Sequence, residues 1–305
     1  MKKKFTYREK TPIIFRRSGK AKIFYGFIFI IFSVYSLSLL APLLMIFFSS
    51  FKDPLTYNNE LFAGTIYNLP EKWVFSNYTR AFTLMKVPTS THDADLLEMT
   101  WNTLWSSVGP AALATISVLA TGYVCARYEN FATKFLRSFA LVLMILPVFG
   151  AQAASLKLFM KLGLYNNPLG MFVTAFAGFG MNFFIVMGFF KGISWEYAEA
   201  VFIDGGGHFT VFFKVMLPQA TPMALVFFFS DFLMHYSSYE SMLLYMPDYI
   251  TIATGLYYEQ MLLPRLGETP VFFAALFMSA IPIAIYYAIF GKRLMTSMNI
   301  GGLKG

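Results

Sequence analysis

Apolar residues in this chain come in long unbroken runs, with the charged residues gathered between them. Ile23–Phe51, Trp101–Ala126, Ser138–Leu156, Leu162–Phe190 and Thr269–Gly291 contain no Asp, Glu, Lys or Arg. An α-helix needs roughly 20 apolar residues to cross the hydrocarbon core of a bilayer, so each run is long enough to span. A sixth run begins at Val215 and continues to about Met246, with Asp231, His235 and Glu240 in its path. None of the runs shows the in-out alternation of a membrane β-strand. The pattern predicts an all-α integral membrane protein with six transmembrane helices and both termini on one side.

Composition agrees: 57% of the 305 residues are hydrophobic and only 13% are charged, whereas about a quarter are charged in soluble domains. The formal charge of +8 resides in the first 22 residues, where Lys2, Lys3, Lys4, Arg8, Lys10, Arg16, Arg17, Lys20 and Lys22 face only Glu9. Charge packed into a short arm ahead of an apolar run reads as a topology signal and a lipid-headgroup contact rather than a nucleic-acid site. The run after the arm is too long for a cleaved signal peptide, so it is expected to stay as a span. The single cysteine, Cys125, cannot form an intrachain disulfide.

Lys and Arg favour cytoplasmic loops. With the N-terminus inside, Arg127, Lys134, Arg137, Lys191, Lys214, Lys292, Arg293 and Lys304 join the arm on the cytoplasmic side. Lys52, Lys72, Arg80, Lys86, Lys157, Lys161 and Arg265 then lie outside. That is seventeen against seven, which predicts N-in/C-in. The chain divides into a basic cytoplasmic tail (1–22), a first span (23–51), an external loop or cap (52–100) with short helices, a five-helix core (101–294) with a cytoplasmic loop at 191–214, and a C-terminal tail (295–305).

The 191–214 loop carries the most specific pattern. It reads Ser194-Trp-Glu-Tyr-Ala-Glu-Ala-Val-Phe-Ile-Asp-Gly-Gly-Gly-His and leads to Val215-Met-Leu-Pro218. Ser194 is placed to cap a helix whose first turn holds Glu196, and Gly205–Gly207 end it. Trp195, Ala198 and Phe202 share one face; Glu196 and Glu199 share another. A helix lying on lipid headgroups usually presents Lys or Arg, so the acidic face of Glu196, Glu199 and Asp204 suits a protein partner better.

The stretch resembles the loop of binding-protein-dependent ABC importer permeases, E-A-A-x3-G-x9-I-x-L-P. Glu199, Ala200, Gly205, Leu217 and Pro218 match, while Val201 and Val215 replace an alanine and an isoleucine. Asp204-Gly205 is similar to the I-D-G form of the carbohydrate-uptake (maltose-type) branch. Asn102-Thr103-Leu104, Ala126-Arg127, Pro147, Lys161-Leu-Gly-Leu-Tyr-Asn166 and the Gly301–Gly305 ending also resemble that branch. The resemblance implies a type I importer permease fold in a bacterial cytoplasmic membrane, with a coupling helix that docks on an ATP-binding subunit. Glu196, Glu199 and Asp204 would supply its acidic face, Ala200 close approach, and Gly205 the bend, with Leu217-Pro218 opening the next span. Gly302 and Lys304 would lie in a tail that reaches the ATPase subunits in some members. It further implies an ATPase dimer carrying the ATP and Mg, a second homologous permease subunit, an external solute-binding protein and a sugar-like substrate. The chain itself has no phosphate-cradling GxxxxGK[ST] loop, so an ATPase would be another chain, and the resemblance implies that this one binds no cofactor and does no bond chemistry.

Ionisable and amide groups inside spans mark a substrate path, because lipid does not tolerate them. Gln152, Asn182, Asp231, His235 and Glu240 are the candidates. Asp231 and His235, four residues apart, could instead pair with each other. His92, His208 and His235 are scattered, without the clustered carboxylates or cysteines of a metal or acid–base centre. A permease for peptides or amino acids is the nearest alternative. A secondary transporter, which would show Gly/Pro-interrupted helices in repeated halves, is a more distant one.

Overall fold

The structure, a computed structural model, describes residues 19–146, 150–176 and 178–298. The basic arm before residue 19, Pro147, Gly302 and Lys304 lie outside the described residues. From the N-terminus, α1 (Gly19–Ser50) leads to a cap built from α2 (Pro54–Ala63), α3 (Ser76–Leu84) and an antiparallel hairpin of β1 (Lys86–Pro88) and β2 (Asp93–Asp95). The helices α4 (Leu96–Arg127), α5 (Phe131–Ile145), α6 (Gln152–Lys161), α7 (Pro168–Ala175), α8 (Met181–Gly192) and α9 (Glu196–Ile203) follow. Then α10 (His208–Thr210) runs through a π-turn, Val211–Met216, into α11 (Leu217–Ser237). The chain closes with α12 (Tyr239–Tyr245), α13 (Ile252–Arg265) and α14 (Thr269–Met298).

Among the described residues, four helices are long and apolar enough to cross a membrane: Ile23–Ser50, Leu96–Arg127, His208–Ser237 and Thr269–Lys292. The other two apolar runs fold differently from single rods. The run Ser138–Leu156 is divided between α5 and α6. Leu146 leaves the helix at ψ 114°, the conformation imposed on a residue that precedes proline. The run Leu162–Phe190 becomes α7 and α8. Between them Gly178 presses on α4, where a Cβ would lie 3.3 Å from the backbone of Ser117 and Val118. The run from Val215 also ends early. Ser238 takes ψ 84° and Glu240 falls on the separate helix α12. Ser237 Oγ bonds back to the Leu233 carbonyl at 2.7 Å, the kind of side-chain competition that loosens helix ends.

The 52–100 segment is a folded cap, and its hairpin adds strand to the all-α expectation. Asp53 accepts N–H bonds from Leu55 and Thr56 at the start of α2. Asn77 Nδ2 donates to the Ser50 and Lys52 carbonyls, both at 2.8 Å, satisfying acceptors that the end of α1 would leave open. Lys52 is buried, paired with Glu60 and donating to the Ile66 carbonyl at 2.8 Å. An Arg80–Glu268 ion pair and the bond from Asn58 Nδ2 to the Gly267 carbonyl tie the cap to the start of α14.

At the centre stands α4. Half of its most apolar window is buried, against 22% for the rod containing α11, 11% for α14 and none for α1. Lipid tails offer no hydrophobic drive for helix association, so close packing through small residues decides which helix is central. A Cβ on Gly122 would lie 2.4 Å from Val186 of α8, and one on Gly109 would lie 2.6 Å from Phe172 of α7. The buried hydroxyl of Thr115 bonds to the Ala111 carbonyl one turn back at 2.8 Å, while Thr103 Oγ1 donates to the Met99 carbonyl at 2.7 Å and accepts the Ile252 N–H at 2.8 Å, tying α4 to the start of α13.

Candidate functional site

Between α4, α7, α8 and α11 lies a cleft of about 480 Å3, with walls that include Ala114, Val118, Gly178, Asn182, Asp231 and His235. A neighbouring cavity of about 320 Å3, reached past Thr174, Met234 and His235, extends along α12 to Ser238, Ser241 and Tyr245. Among the described residues, no Lys or Arg lines either space. Of the five residues expected on a substrate path, Asn182, Asp231 and His235 meet in the cleft. Gln152 at the head of α6 and Glu240 on α12 are exposed and line neither cavity. His235 Nδ1 donates to the backbone carbonyl of Asp231 at 2.8 Å. The i, i+4 relation therefore orients the imidazole through the main chain.

The 191–218 segment forms a short helix seated by its apolar face. Ala198 is completely buried in the core that also holds Tyr123, Phe190, Val211 and Met216, with Trp195, Phe202 and Leu217 packed against it. Glu196, Glu199, Ala200 and Asp204 are exposed, as is Pro218 at the start of α11. α9 begins at Glu196 with Trp195 at its N-cap and no side-chain cap, so Ser194, expected to cap it, sits one residue early, where its Oγ accepts the Glu196 N–H at 3.3 Å. At the far end, the Gly205 N–H bonds to the Phe202 carbonyl at 3.0 Å and the Gly206 N–H to the Val201 carbonyl at 2.8 Å. With Gly205 at φ +77°, this is a Schellman termination.

Several structural residues of this region were not evident from the sequence. Arg127 Nη2 donates to the Ile193 carbonyl at 2.6 Å, and its guanidinium lies 5.2 Å from the Trp195 ring centre. Tyr128 Oη and His208 Nδ1 are 2.8 Å apart. At the opposite end of the bundle, Asp248 gathers three loops. It accepts from the Ser90 N–H (2.9 Å) and hydroxyl (2.8 Å) and from Asn166 Nδ2 (2.6 Å), while its own N–H donates to Asn166 Oδ1 at 3.2 Å. These donors hold the Asp248 carboxyl below its ordinary range, chiefly through Ser90. Asn166 has φ +52°, and an Asn with positive φ in the K-L-G-L-Y-N turn is a signal that could have pointed to this junction.

Long apolar helices around a polar cleft, with a small acidic helix exposed at one end, define a polytopic membrane protein of transport type. The comparisons with known proteins agree with that class. The chain belongs to the family described as binding-protein-dependent transport system inner membrane component, which matches residues 118–290, more than half of its length. Among its relatives, the maltodextrin transport system permease protein MdxG of Bacillus subtilis is 29% identical over 218 residues, covering 69% of this chain and 77% of MdxG. The diacetylchitobiose uptake system permease protein NgcG of Streptomyces coelicolor is 26% identical over 275 residues, covering 88% and 85%. Among solved structures, a chain from the crystal structure of a bacterial ABC transporter involved in the import of the acidic polysaccharide alginate shares the fold. Its TM-score is 0.71 at 19% identity, over 90% of this chain and 98% of that one. The chain is thus a multi-pass permease component of the inner membrane.

Proposed function

We propose that this chain is one of two permease subunits of an ATP-driven carbohydrate importer, working with an ATPase dimer and an external solute-binding protein. The observation that carries the reading is α9. Its apolar face is sunk into the core at Ala198 while Glu196, Glu199 and Asp204 stand free, which is the arrangement of a docking helix rather than of a loop. On this reading Glu199 makes a charge-assisted contact to the ATPase, Ala200 allows close approach, and Gly205 fixes the bend before Leu217-Pro218 open α11. ATP and Mg reside on the partner subunits, and substrate crosses by alternating access. The six spans are α1, α4, α5 with α6, α7 with α8, α11, and α14, arranged N-in/C-in, with the 52–100 cap outside.

The cleft supports a neutral substrate. Asp231 lines it with no lysine or arginine beside it among the described residues, so an anionic sugar would meet repulsion where a neutral oligosaccharide would find Asn182, Asp231 and His235 as hydrogen-bonding groups. This separates the chain from its alginate-importing structural relative while keeping it with the relatives named for maltodextrin and diacetylchitobiose. The test is ATP-dependent uptake into proteoliposomes holding the complete complex and its binding protein, with maltodextrin, diacetylchitobiose, galactooligosaccharide, alginate oligomers and a peptide mixture offered in turn. Uptake of at least one neutral oligosaccharide is expected, and uptake of peptides alone would refute the carbohydrate assignment.

A further inference from the structure

We propose that Arg127 and Tyr128 clamp the α9 segment from both sides, at Ile193 ahead of the helix and at His208 beyond its glycine elbow, so that α4 becomes the principal helix through which movement of α9 reaches the cleft. The proposal rests on the reading of α9 as the ATPase-docking helix.

Arg127, the last residue of α4, holds the entrance to α9. Its Nη2 donates to the Ile193 carbonyl, and the same guanidinium lies 5.2 Å from the Trp195 ring centre. Tyr128 holds the chain beyond the glycine elbow, at the start of α10. Its hydroxyl meets His208 Nδ1, its ring lies edge-on to the imidazole at 5.6 Å, and that imidazole packs 5.0 Å from Phe202. The clamp is itself fixed. Thr133 Oγ1 donates to the Tyr128 carbonyl at 2.8 Å within an Asn130–Thr133 capping box. With Ala198 buried between the two attachments, a push on the exposed face of α9 displaces the end of α4.

The covalent route is softer. Between α9 and His208 that route is three successive glycines, which the Phe202–His208 packing bridges, and beyond His208 it reaches α11 only through the π-helical segment Val211–Met216, whose bonding departs from the regular α-helical pattern. The α4 route ends where it needs to. Val118, a wall residue of the cleft, lies nine positions before Arg127, which at 1.5 Å per residue is about 14 Å along one unbroken helix.

The experiment uses the complete complex with Cys125→Ser and Ala114→Cys in this chain, so that its one thiol lies on the cleft wall and its labelling is read on this subunit's band. A water-soluble maleimide reports its exposure with and without ATP. In the unmodified background ATP is expected to change the labelling rate several-fold. Arg127→Gln and, separately, Tyr128→Phe should keep ATP hydrolysis while losing most of that change, and Arg127→Lys should restore part of it. If Arg127→Gln prevents assembly, Tyr128→Phe decides, because it keeps the ring and removes only the hydroxyl. An undiminished ATP-dependent change in Tyr128→Phe and in any assembled Arg127→Gln overturns the clamp. Glu199→Lys separates the two levels. If it abolishes the change while the clamp variants do not, docking stands and the clamp fails. If it leaves the change intact, the docking role itself is wrong.

Discussion

The three glycines after α9 should respond differently to the same added methyl group. Gly205 sits at φ +77° with open space around it, so Gly205→Ala costs only backbone strain, about 1–2 kcal/mol in the left-handed region. Gly206 has an ordinary φ but no room: its new Cβ would lie 2.5 Å from Val201 Cγ1 and 3.0 Å from the Val201 carbonyl oxygen. Overpacking of this kind costs about 1–3 kcal/mol. The clash also disturbs the Val201 carbonyl, which accepts the Gly206 N–H that closes the turn. Gly207 has φ −99° and nothing within 4 Å of its new Cβ, so Gly207→Ala should be close to neutral. Amide hydrogen exchange across residues 199–212 in the assembled complex reads the difference, since about 1.4 kcal/mol corresponds to a tenfold change in opening. Protection should fall by roughly tenfold for the first two variants and hardly at all for the third, while Gly205→Asn should fall between, because Asn tolerates the left-handed region. Equal losses at all three positions, or none at Gly205, would show that the Schellman geometry does not hold the elbow.

Four other substitutions have definite expected outcomes. Glu199→Lys, which reverses an exposed charge and touches no core residue, should leave the permease folded but abolish import by the complex, and import at the unmodified rate would remove Glu199 from the docking role. Lys52→Ala leaves Glu60 and the Ile66 carbonyl without the buried cation, a loss of about 3–5 kcal/mol that limited proteolysis of the cap should detect. Because the Asp248 carboxyl is held below its ordinary value, its contribution to joining the three loops is complete above that value and fades as pH falls beneath it; Asp248→Asn should flatten the acid limb of a stability–pH curve. Glu259 behaves oppositely, since burial raises its carboxyl and Oε2 has no partner, so Glu259→Gln should stabilise the protein increasingly as pH rises through and above the ordinary carboxylate range.

The long spans were legible because lipid enforces them. Runs such as Ile23–Phe51 and Thr269–Gly291 have no alternative fold in a bilayer, and α1 and α14 follow them closely. The broken runs were harder. Hydropathy sums a window and ignores chain geometry, so Leu162–Phe190 reads as one helix although Gly178 diverts the chain against α4. The seating of α9 was legible from Trp195, Ala198 and Phe202 because helical spacing fixes which side chains share a face. The cleft was legible only in part. Asn182, Asp231 and His235 announce themselves as polar groups within apolar runs, but the same criterion selected Gln152 and Glu240, which the helix breaks place outside.

The residues hardest to anticipate are those whose role depends on distant partners. Arg127 is, in the sequence, a basic residue at a span end, counted toward topology and matched with Ala126 to the end of a span in the branch, but with no sign of what its side chain meets. What sets it apart is that α4 packs against α8 through Gly122 and the buried Val186. That packing brings the end of α4 beside Ile193, just past the end of α8, and so within reach of α9. The small residues that make α4 central therefore also determine which arginine meets the docking helix. A larger residue at Gly122 should accordingly weaken the Arg127–Ile193 contact without altering either residue, linking a packing position in the bundle to the coupling of a helix at its end.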